Sequence, residues 1–416
     1  MYPLSINGEQ LKAILGEKLA GVQVVDMHTH LFSADFDEML LWGIDEVLTY
    51  HYLIAEYFRY SPLDYGEFLQ LPKEKQADEV WRTLFLERSP VSEAQRGVLT
   101  ILKRLGLDVG SRSLEAYREY FRGLTVREQI DRVFKLAGVK EVVMTNDPFD
   151  PQERAVWQRG VAEDPRFRSS LRIDPLLLDF PWAAETLQAE GYAVTPDLGG
   201  ASAAEVRRFL RDWTLKINAV YLAASLPCSF DPAQDGLSTR VLKECILPVC
   251  GELDVPFALM IGVKRQVNPR LGLAGDSVGK AQIGAVERLC AEYPDNKFLV
   301  TMLSRENQHE LAITARKYRN LMVFGCWWFL NNPSLVQEIT AMRLETLGLS
   351  FIPQHSDARV LEHLIYKWDH SRAVISEVLW GKYRDLLATG WSVTEEDLER
   401  DLQQLFQGNF HEFVGR

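Results

Sequence analysis

The stretch VVDMHTHLF, Val24 to Phe32, carries two histidines two residues apart behind an apolar run. Successive side chains of a β-strand point to opposite faces, so His28 and His30 share one face while Met27, Thr29 and Leu31 take the other. Two imidazoles on one face can close on a single metal ion. A lone histidine is more often a satisfied polar group or a surface residue. Here the whole chain has eight histidines, and a pair at this spacing behind VQVV points to a metal.

The elements that must hold such a pair can be read from the hydrophobic pattern. After the first run come about a hundred residues with helical spacing of apolar positions, and Ser92 and Ser113 are placed to cap helices. Short apolar runs then alternate with longer amphipathic stretches. These runs are Glu141 to Pro148, Ser170 to Leu178, Ala219 to Pro227, Val255 to Val263, Lys297 to Ser304, Leu321 to Phe329 and Leu349 to Arg359, which with the first make eight. Near-continuous hydrophobic strands that are each followed by a helix describe a parallel sheet buried on both faces. The count predicts an α/β protein, a (β/α)8 TIM-type barrel in a single domain. A helical insertion is expected after strand one, about 35–137, and extra C-terminal helices at about 360–416, packed on the outside. An open dinucleotide-binding sheet is disfavoured, because no G-x-G-x-x-G and no G-x-x-x-x-G-K-[ST] occurs.

Composition narrows the partners. The 416 residues are 47% hydrophobic and 25% charged, an ordinary globular balance, and 46 basic against 58 acidic residues leave a net charge of −12. That argues against nucleic acid or an anionic membrane as a bulk partner. An anionic substrate would have to meet locally placed arginines. The N-terminal MYPLSINGEQLKAILGEKLAG has no basic region leading into an apolar core, and no apolar run approaches the ~20 residues of a membrane helix. Five cysteines without a C-x-x-C pair, some in apolar settings such as FGCWWF, suit buried thiols in a reducing cytoplasm.

In a barrel of this kind the chemistry gathers where strands end and the following loops begin. The polar residues there are His28 and His30; Asn146 and Asp147; Arg172 and Asp174; Ser225; Lys264 and Arg265; Ser304, Arg305 and Asn307; Trp327 and Trp328; and His355, Asp357 and Arg359. Strand eight of a closed barrel neighbours strand one, so Asp357 can approach His28 and His30. Two imidazoles and a carboxylate with open positions suit a catalytic divalent ion. Asp357 could equally pair with Arg359 or cap the next helix. Arg172 and Arg305 could each clamp a carboxylate through two parallel hydrogen bonds or serve the loops structurally. Alternation sends one of Trp327 and Trp328 inward and the other outward, where a sugar ring or the core could receive them. His363, His370 and His411 fall on amphipathic helices and read as packing or surface.

DMHTH and HSDAR resemble the metal-binding ends of strands one and eight in the amidohydrolase superfamily. More narrowly, DMHTHLFS, LLWGIDEVLTYHYL, VVMTNDPFD, LRIDPLL, KFLVTMLSRENQHELAITARK, FGCWWFLNNP and SFIPQHSDAR together resemble uronate isomerase, also called glucuronate isomerase. The likeness spans Asp26 to Arg359. Hydrolytic members of the superfamily usually take further ligands from strands four, five and six, whereas those runs end here in AASLP, MIGVKR and TMLSREN. The resemblance therefore implies one divalent ion, Zn2+ by preference, held by His28, His30 and Asp357, and His309 lies too far past its strand to be assigned as a fourth ligand.

The reaction implied is aldose–ketose interconversion of hexuronates, D-glucuronate with D-fructuronate and D-galacturonate with D-tagaturonate. Hydrogen moves between C2 and C1, by enediol and proton transfer or by hydride shift. In the resemblance Asp357 assists ring opening and proton movement at O5, Arg359 stabilises the enediolate, Tyr52 shuttles hydrogen between C2 and C1, and His51 binds substrate hydroxyls or tunes that transfer. It places Arg172 ahead of Arg305 for the substrate carboxylate. Apart from the resemblance, Trp328 is a candidate for contact with the sugar, since sugar rings often rest on aromatic faces. A small-molecule hexuronate is thus the expected partner, with a homo-oligomeric assembly, as is frequent in the family. Two other readings use the same residues: a mononuclear hydrolase whose metal activates water, and a binding protein that has lost turnover.

Overall fold

The computed structural model describes residues 6–415. The first five residues of the N-terminal stretch read above, and Arg416 at the end of the C-terminal helical stretch, lie outside them. One sheet organises the chain. Its parallel strands are β1 (Val24–Thr29), β2 (Val139–Asn146), β3 (Phe167–Arg172), β4 (Ala219–Pro227), β5 (Phe257–Lys264), and then β7 (Phe298–Met302) and β8 (Leu321–Val323), paired in that order. The short β6 (Ser277–Val278), which the sequence pattern does not announce, folds back antiparallel on β5 and shapes the loop above its end.

The sheet is buried on both faces, as continuous apolar strands require. One face gathers Val25, Met27, Val143, Tyr221, Ala258, Met260, Leu299 and Phe324 into an interior cluster. Residues of the other face, such as Val142, Leu222, Leu259 and Val300, pack under the surrounding helices. Ser92 and Ser113 do cap the helices Glu93–Arg104 and Leu114–Arg122, accepting from the backbone N–H of Gln95 and Ala116. The long helix His363–Ala388 packs against Gly8–Gly21, Glu93–Arg104 and Val126–Ala137. No helix among the described residues is long and apolar enough to cross a membrane. The five cysteines are free, and four of them are buried.

Several expectations change. The run Ser170 to Leu178 is not one strand: β3 starts earlier and stops at Arg172, and Asp174–Leu178 is a short helix with Pro175 in its first turn, where a missing N–H costs nothing. The eighth run forms no regular strand. Ile352 makes one parallel bridge to Phe324, after which Pro353 has no amide hydrogen to donate and Asp357 turns to a φ of 53°. The segment still reaches β1, since the Asp357 N–H donates to the His28 carbonyl (3.2 Å) and the His30 N–H to the Ala358 carbonyl (2.7 Å). Nor are the C-terminal helices wholly external. Phe410 and Val414, on one face of the helix Asn409–Val414, join the interior cluster near Tyr221.

The first strand departs from simple alternation at a telling place. Asp26 pairs with Val142 and Thr29 with Met144, so three steps of β1 span two of β2. The irregularity leaves Met27 in the interior cluster beside Val25 rather than on the outer face with Leu31. It also lets His28 follow on the inner side.

Candidate active site

The C-terminal ends of the strands surround a cavity whose wall includes His28, His30, His51, Arg172, Asp357 and Arg359. At its base His30 Nε2 lies 3.4 Å and His28 Nε2 3.8 Å from the same Asp357 oxygen, Oδ1. The three ligand atoms fall within 4.8 Å of one another. His28 Nε2 and Asp357 Oδ1 are buried with no hydrogen-bond partner. Unsatisfied buried donors and acceptors are costly, so their convergence fits a site built to receive a cation. Two imidazole nitrogens and one carboxylate oxygen are a donor set for a divalent ion.

The orientation of His28 is fixed from behind. Its Nδ1 faces the Tyr221 hydroxyl at 3.2 Å and the Thr145 hydroxyl at 3.4 Å. Both hydroxyls have donated their own protons elsewhere, Tyr221 to the Met27 carbonyl (2.6 Å) and Thr145 to the Thr29 carbonyl (2.8 Å). They are left as acceptors, so His28 carries its proton on Nδ1 and presents the Nε2 lone pair forward. Burial, with neighbouring His30, pushes the His28 imidazole down to about 3, and burial together with the Arg359 charge holds His30 well below its usual range. Both are therefore neutral at neutral pH, the form that binds metal.

Asp357 is held in place by Asp26. The fully buried Asp26 carboxylate accepts from the Ser356 N–H (3.0 Å) and from Trp368 Nε1–H (2.8 Å), tying the eighth segment and the long C-terminal helix to β1. Burial raises Asp26 to about 6 against those hydrogen bonds. His355 stacks edge-on to His28, with ring centroids 5.5 Å apart, and both its ring nitrogens lack partners. It fits only because residue 325 is glycine: at a φ of 59°, a Cβ there would lie 1.8 Å from His355 Nδ1.

A second wall comes from the helix His51–Tyr57. Tyr50 and His51, at its start, line the cavity. Tyr52 stands behind them, its ring centroid 4.5 Å from His51 and 4.9 Å from Tyr50. Its hydroxyl is buried and without a hydrogen-bond partner, and burial raises its pKa well above the phenol range. His51 Nε2 is likewise buried and unpartnered, and burial beside Arg359 takes that imidazole down to about 3.

Arginines surround the rest. Arg172 donates to Asp174 through Nε (3.0 Å) and Nη2 (3.1 Å), which fixes its plane at the cavity wall. The buried Arg359 Nε has no partner. Arg265, on the same wall, pairs with Asp276 at 2.6 Å. Arg305 lies elsewhere: it opens the turn Arg305–Asn307, is 56% exposed and pairs with Glu338 at 3.0 Å. Both Trp327 and Trp328 reach the cavity instead of dividing between in and out, because β8 ends at Val323 and Trp328, at a φ of 47°, starts a helical turn. Ser225 also lines it, while Asn146 is occupied with Glu153 (2.7 Å) and Asn307 with the backbone of Ala281 (2.9 Å).

Tyr50, Leu273, Asp276 and Tyr221 were not found from the sequence. Tyr221 had a signal: in AVYLAASLP it occupies the register of Ala223 and Ser225, a large hydroxyl-bearing residue among small ones on the inner face.

The chain matches the crystal structure of a uronate isomerase from Bacillus halodurans C-125 with a TM-score of 0.98 and 54% identity, covering 99% of this chain and 98% of that one. A uronate isomerase from Thermotoga maritima (TM-score 0.79, 15% identity, 99% and 98% covered) and a glucuronate isomerase from Caulobacter crescentus (0.79, 15%, 98% and 94%) share the fold. No family model and no curated protein matches the chain.

Proposed function

The chain belongs to the uronate isomerase family and is an isomerase, and from that premise we propose that it interconverts aldose and ketose hexuronates, D-glucuronate with D-fructuronate and D-galacturonate with D-tagaturonate, in the cavity floored by His28, His30 and Asp357. Family membership sets aside the hydrolase and the non-catalytic binding protein. The observation that carries the site assignment is the meeting of three ligand atoms, two of them buried and unpaired, with Arg172, Arg359 and His51 in one cavity. The hydrogen bonds that join the eighth segment to β8 on one side and β1 on the other support reading the sheet as a closed (β/α)8 barrel, one domain with its insertion at about 35–137.

In the open-chain aldose the hydrogen on C2 leaves as a proton. The C–H pair becomes the C1=C2 bond, the carbonyl pair passes to O1, and an enediolate forms. The O2 proton then leaves, C2 becomes the carbonyl, and C1 receives a proton, so that the sum is one hydrogen moved from C2 to C1 and one from O2 to O1. Tyr52, with a buried and unpartnered hydroxyl, is the group assigned to carry hydrogen between the carbons, and His51 beside it holds the substrate hydroxyls. Arg359 stabilises the enediolate without titrating itself. Asp357 assists ring opening by moving the proton at O5. Arg172, its plane set by Asp174, receives the substrate carboxylate, and Trp328 offers a face to the sugar. His28, His30 and Asp357 would hold a divalent ion, Zn2+ by the donor set, which supplies positive charge to polarise sugar oxygens.

The test is ketose formation from each hexuronate by the purified protein and by Asp357→Asn and Arg359→Lys. Ketose from either sugar, lost in both variants, is the expected result; no ketose from either sugar, or undiminished turnover in the variants, refutes the assignment.

A further inference from the structure

The proposed chemistry leaves one strongly polar pair of the cavity without a task. Arg172 takes the single carboxylate of a hexuronate and Arg359 the charge of the enediolate, yet a third guanidinium, Arg265, stands on the same wall just past the end of β5. It is tied back as Arg172 is. Asp174 fixes Arg172, and Asp276, whose side chain is 3% exposed, accepts from Arg265 Nη1 at 2.6 Å and from the Gln266 N–H at 2.8 Å. The other donors of Arg265 make no hydrogen bond among the described residues, and 47% of its side chain is exposed to whatever enters the cavity. The loop that carries Asp276 is tightly turned and anchored. A Cβ at Gly275 would lie 2.0 Å from the Asn268 carbonyl oxygen, so the chain closes on itself there. Arg270 pairs with Asp64 and lies over the Tyr65 ring, 4.7 Å from its centroid, which fastens the loop to the helical insertion.

The place of Arg265 around the sheet decides what it can touch. β5 lies four steps from β1 in either direction, through β2, β3 and β4 or through β7, β8 and the eighth segment. Arg265 therefore stands across the cavity from His28 and His30. His30, held neutral first by burial and then by Arg359 and Arg172, also feels the Arg265 charge. A hexuronate chain held at C6 by Arg172, and at C1 and C2 by Arg359 and His51, turns one flank to the histidines and Asp357 and the other to Arg265. D-glucuronate and D-galacturonate differ only at C4. Inverting that carbon moves its hydroxyl from one flank to the other.

We propose that Arg265, placed by Asp276, reads the configuration at C4 by donating a hydrogen bond to the hydroxyl there, and so sets which hexuronate the enzyme prefers. The inference rests on the hexuronate reading above and names the specificity of that same site. A guanidinium with no anion of its own to meet still has donors to satisfy, and a rigidly placed fork discriminates between hydroxyls that differ only in direction. When the hydroxyl is missing or turned away, the polar groups of the site lose their partner, and that loss is what separates the two sugars.

The test uses the metal-loaded enzyme and three sugars: D-glucuronate, D-galacturonate, and the 4-deoxy hexuronate that both become when the C4 hydroxyl is replaced by hydrogen. The parent enzyme should favour one epimer by about tenfold or more in kcat/KM. The double variant Arg265→Gln/Asp276→Asn removes both charges together and strands neither. It should reduce the preference to within about threefold, chiefly through loss on the favoured sugar. Asp276→Asn alone, which frees Arg265 to move, should narrow the preference in the same direction. Removing the C4 hydroxyl from the favoured sugar and removing the Arg265 pair should each cost about tenfold or more, and the two together little more than either alone, as for partners in one contact. Arg265→Lys keeps the charge beside Asp276 and loses the fork, and the same comparisons decide the matter with it if the double variant disturbs the fold. A parent that does not distinguish the epimers, a preference unchanged in the variants, or losses that add fully overturns the proposal and leaves hexuronate isomerisation standing. No ketose from either sugar with the parent enzyme instead overturns that reading, and the proposal falls with it.

Discussion

Tyr221 offers no atom to a metal itself, yet through His28 it should govern how tightly one binds in the cavity. Tyr221→Phe keeps the ring, which packs in the interior cluster against Phe410, and removes only the hydroxyl. Two hydrogen bonds go with it: the donation to the Met27 carbonyl at 2.6 Å and the acceptance from His28 Nδ1–H at 3.2 Å. Met27 is left with an unpaired buried carbonyl. His28 keeps one distant acceptor, Thr145 at 3.4 Å, which can turn the ring only by yielding part of its bond to Thr29. At about 1–3 kcal/mol for each unsatisfied buried group, with Thr145 recovering part of one, the variant should lose about 2–4 kcal/mol of stability. The second loss is specific to the site. Without a fixed Nδ1–H the imidazole no longer presents Nε2 reliably, and outer partners of metal-bound histidines typically contribute about 10–100-fold in affinity. Chelator competition with Zn2+ measures that factor, and thermal unfolding of metal-free and metal-loaded protein separates it from the stability loss. Thr145→Val should weaken binding less than Tyr221→Phe. Affinity within about twofold of the parent protein, with equal destabilisation of the metal-free and metal-loaded forms, would refute the reasoning.

Other substitutions probe the remaining walls. Gly325→Ala should abolish isomerisation and lower the yield of folded protein, since its Cβ would meet His355 Nδ1 at 1.8 Å on a backbone with positive φ; normal kcat in this variant would mean that His355 has room to move. Arg172→Lys keeps the charge and loses the planar fork, so kcat/KM should fall roughly 10–100-fold, mostly through KM. Arg305→Ala should leave kcat/KM within about twofold and stability within about 1 kcal/mol, as expected of an exposed pair with Glu338; steady-state kinetics on both variants distinguishes the two arginines. His363 is enclosed, and burial holds it neutral well below its usual range. Its folded pKa therefore lies beneath its unfolded value, so its contribution to stability is present above about 6.5 and is lost as pH falls. Relative to His363→Gln, the parent protein should lose about 1.4 kcal/mol between pH 7.5 and 5.5. Unfolding free energies of the two proteins that differ equally at both pH values would contradict this.

How far the sequence could be read depended on what each segment's backbone had to do. AVYLAASLP became β4 residue for residue, because a strand covered on both faces needs only a continuous apolar run. The eighth segment opens on a short apolar run but contains Pro353 and a residue, Asp357, at positive φ, so it makes one bridge to Phe324 and two backbone hydrogen bonds to the end of β1 rather than a ladder. The pairing of His28 and His30 with Asp357 was nonetheless accessible, since it needs only adjacency of the first and last segments. Alternation failed at Met27 and at Trp327 and Trp328 for one reason: a bulge in the first case and an early strand end in the second remove the period-two rule. The burial of HLIYKW left no signal, because at the start of a helix buried on every side helical spacing no longer separates core from surface.

On the proposed assignment this cavity moves a proton between C2 and C1 of a hexuronate. Incubating the metal-loaded protein with D-glucuronate and with D-galacturonate in D2O, and following the proton spectrum, tests it most directly. The expected result is ketose signals together with solvent deuterium at C1, abolished in Asp357→Asn. No ketose from either sugar would contradict it, and ketose formed by a fully active Asp357→Asn protein would contradict the site.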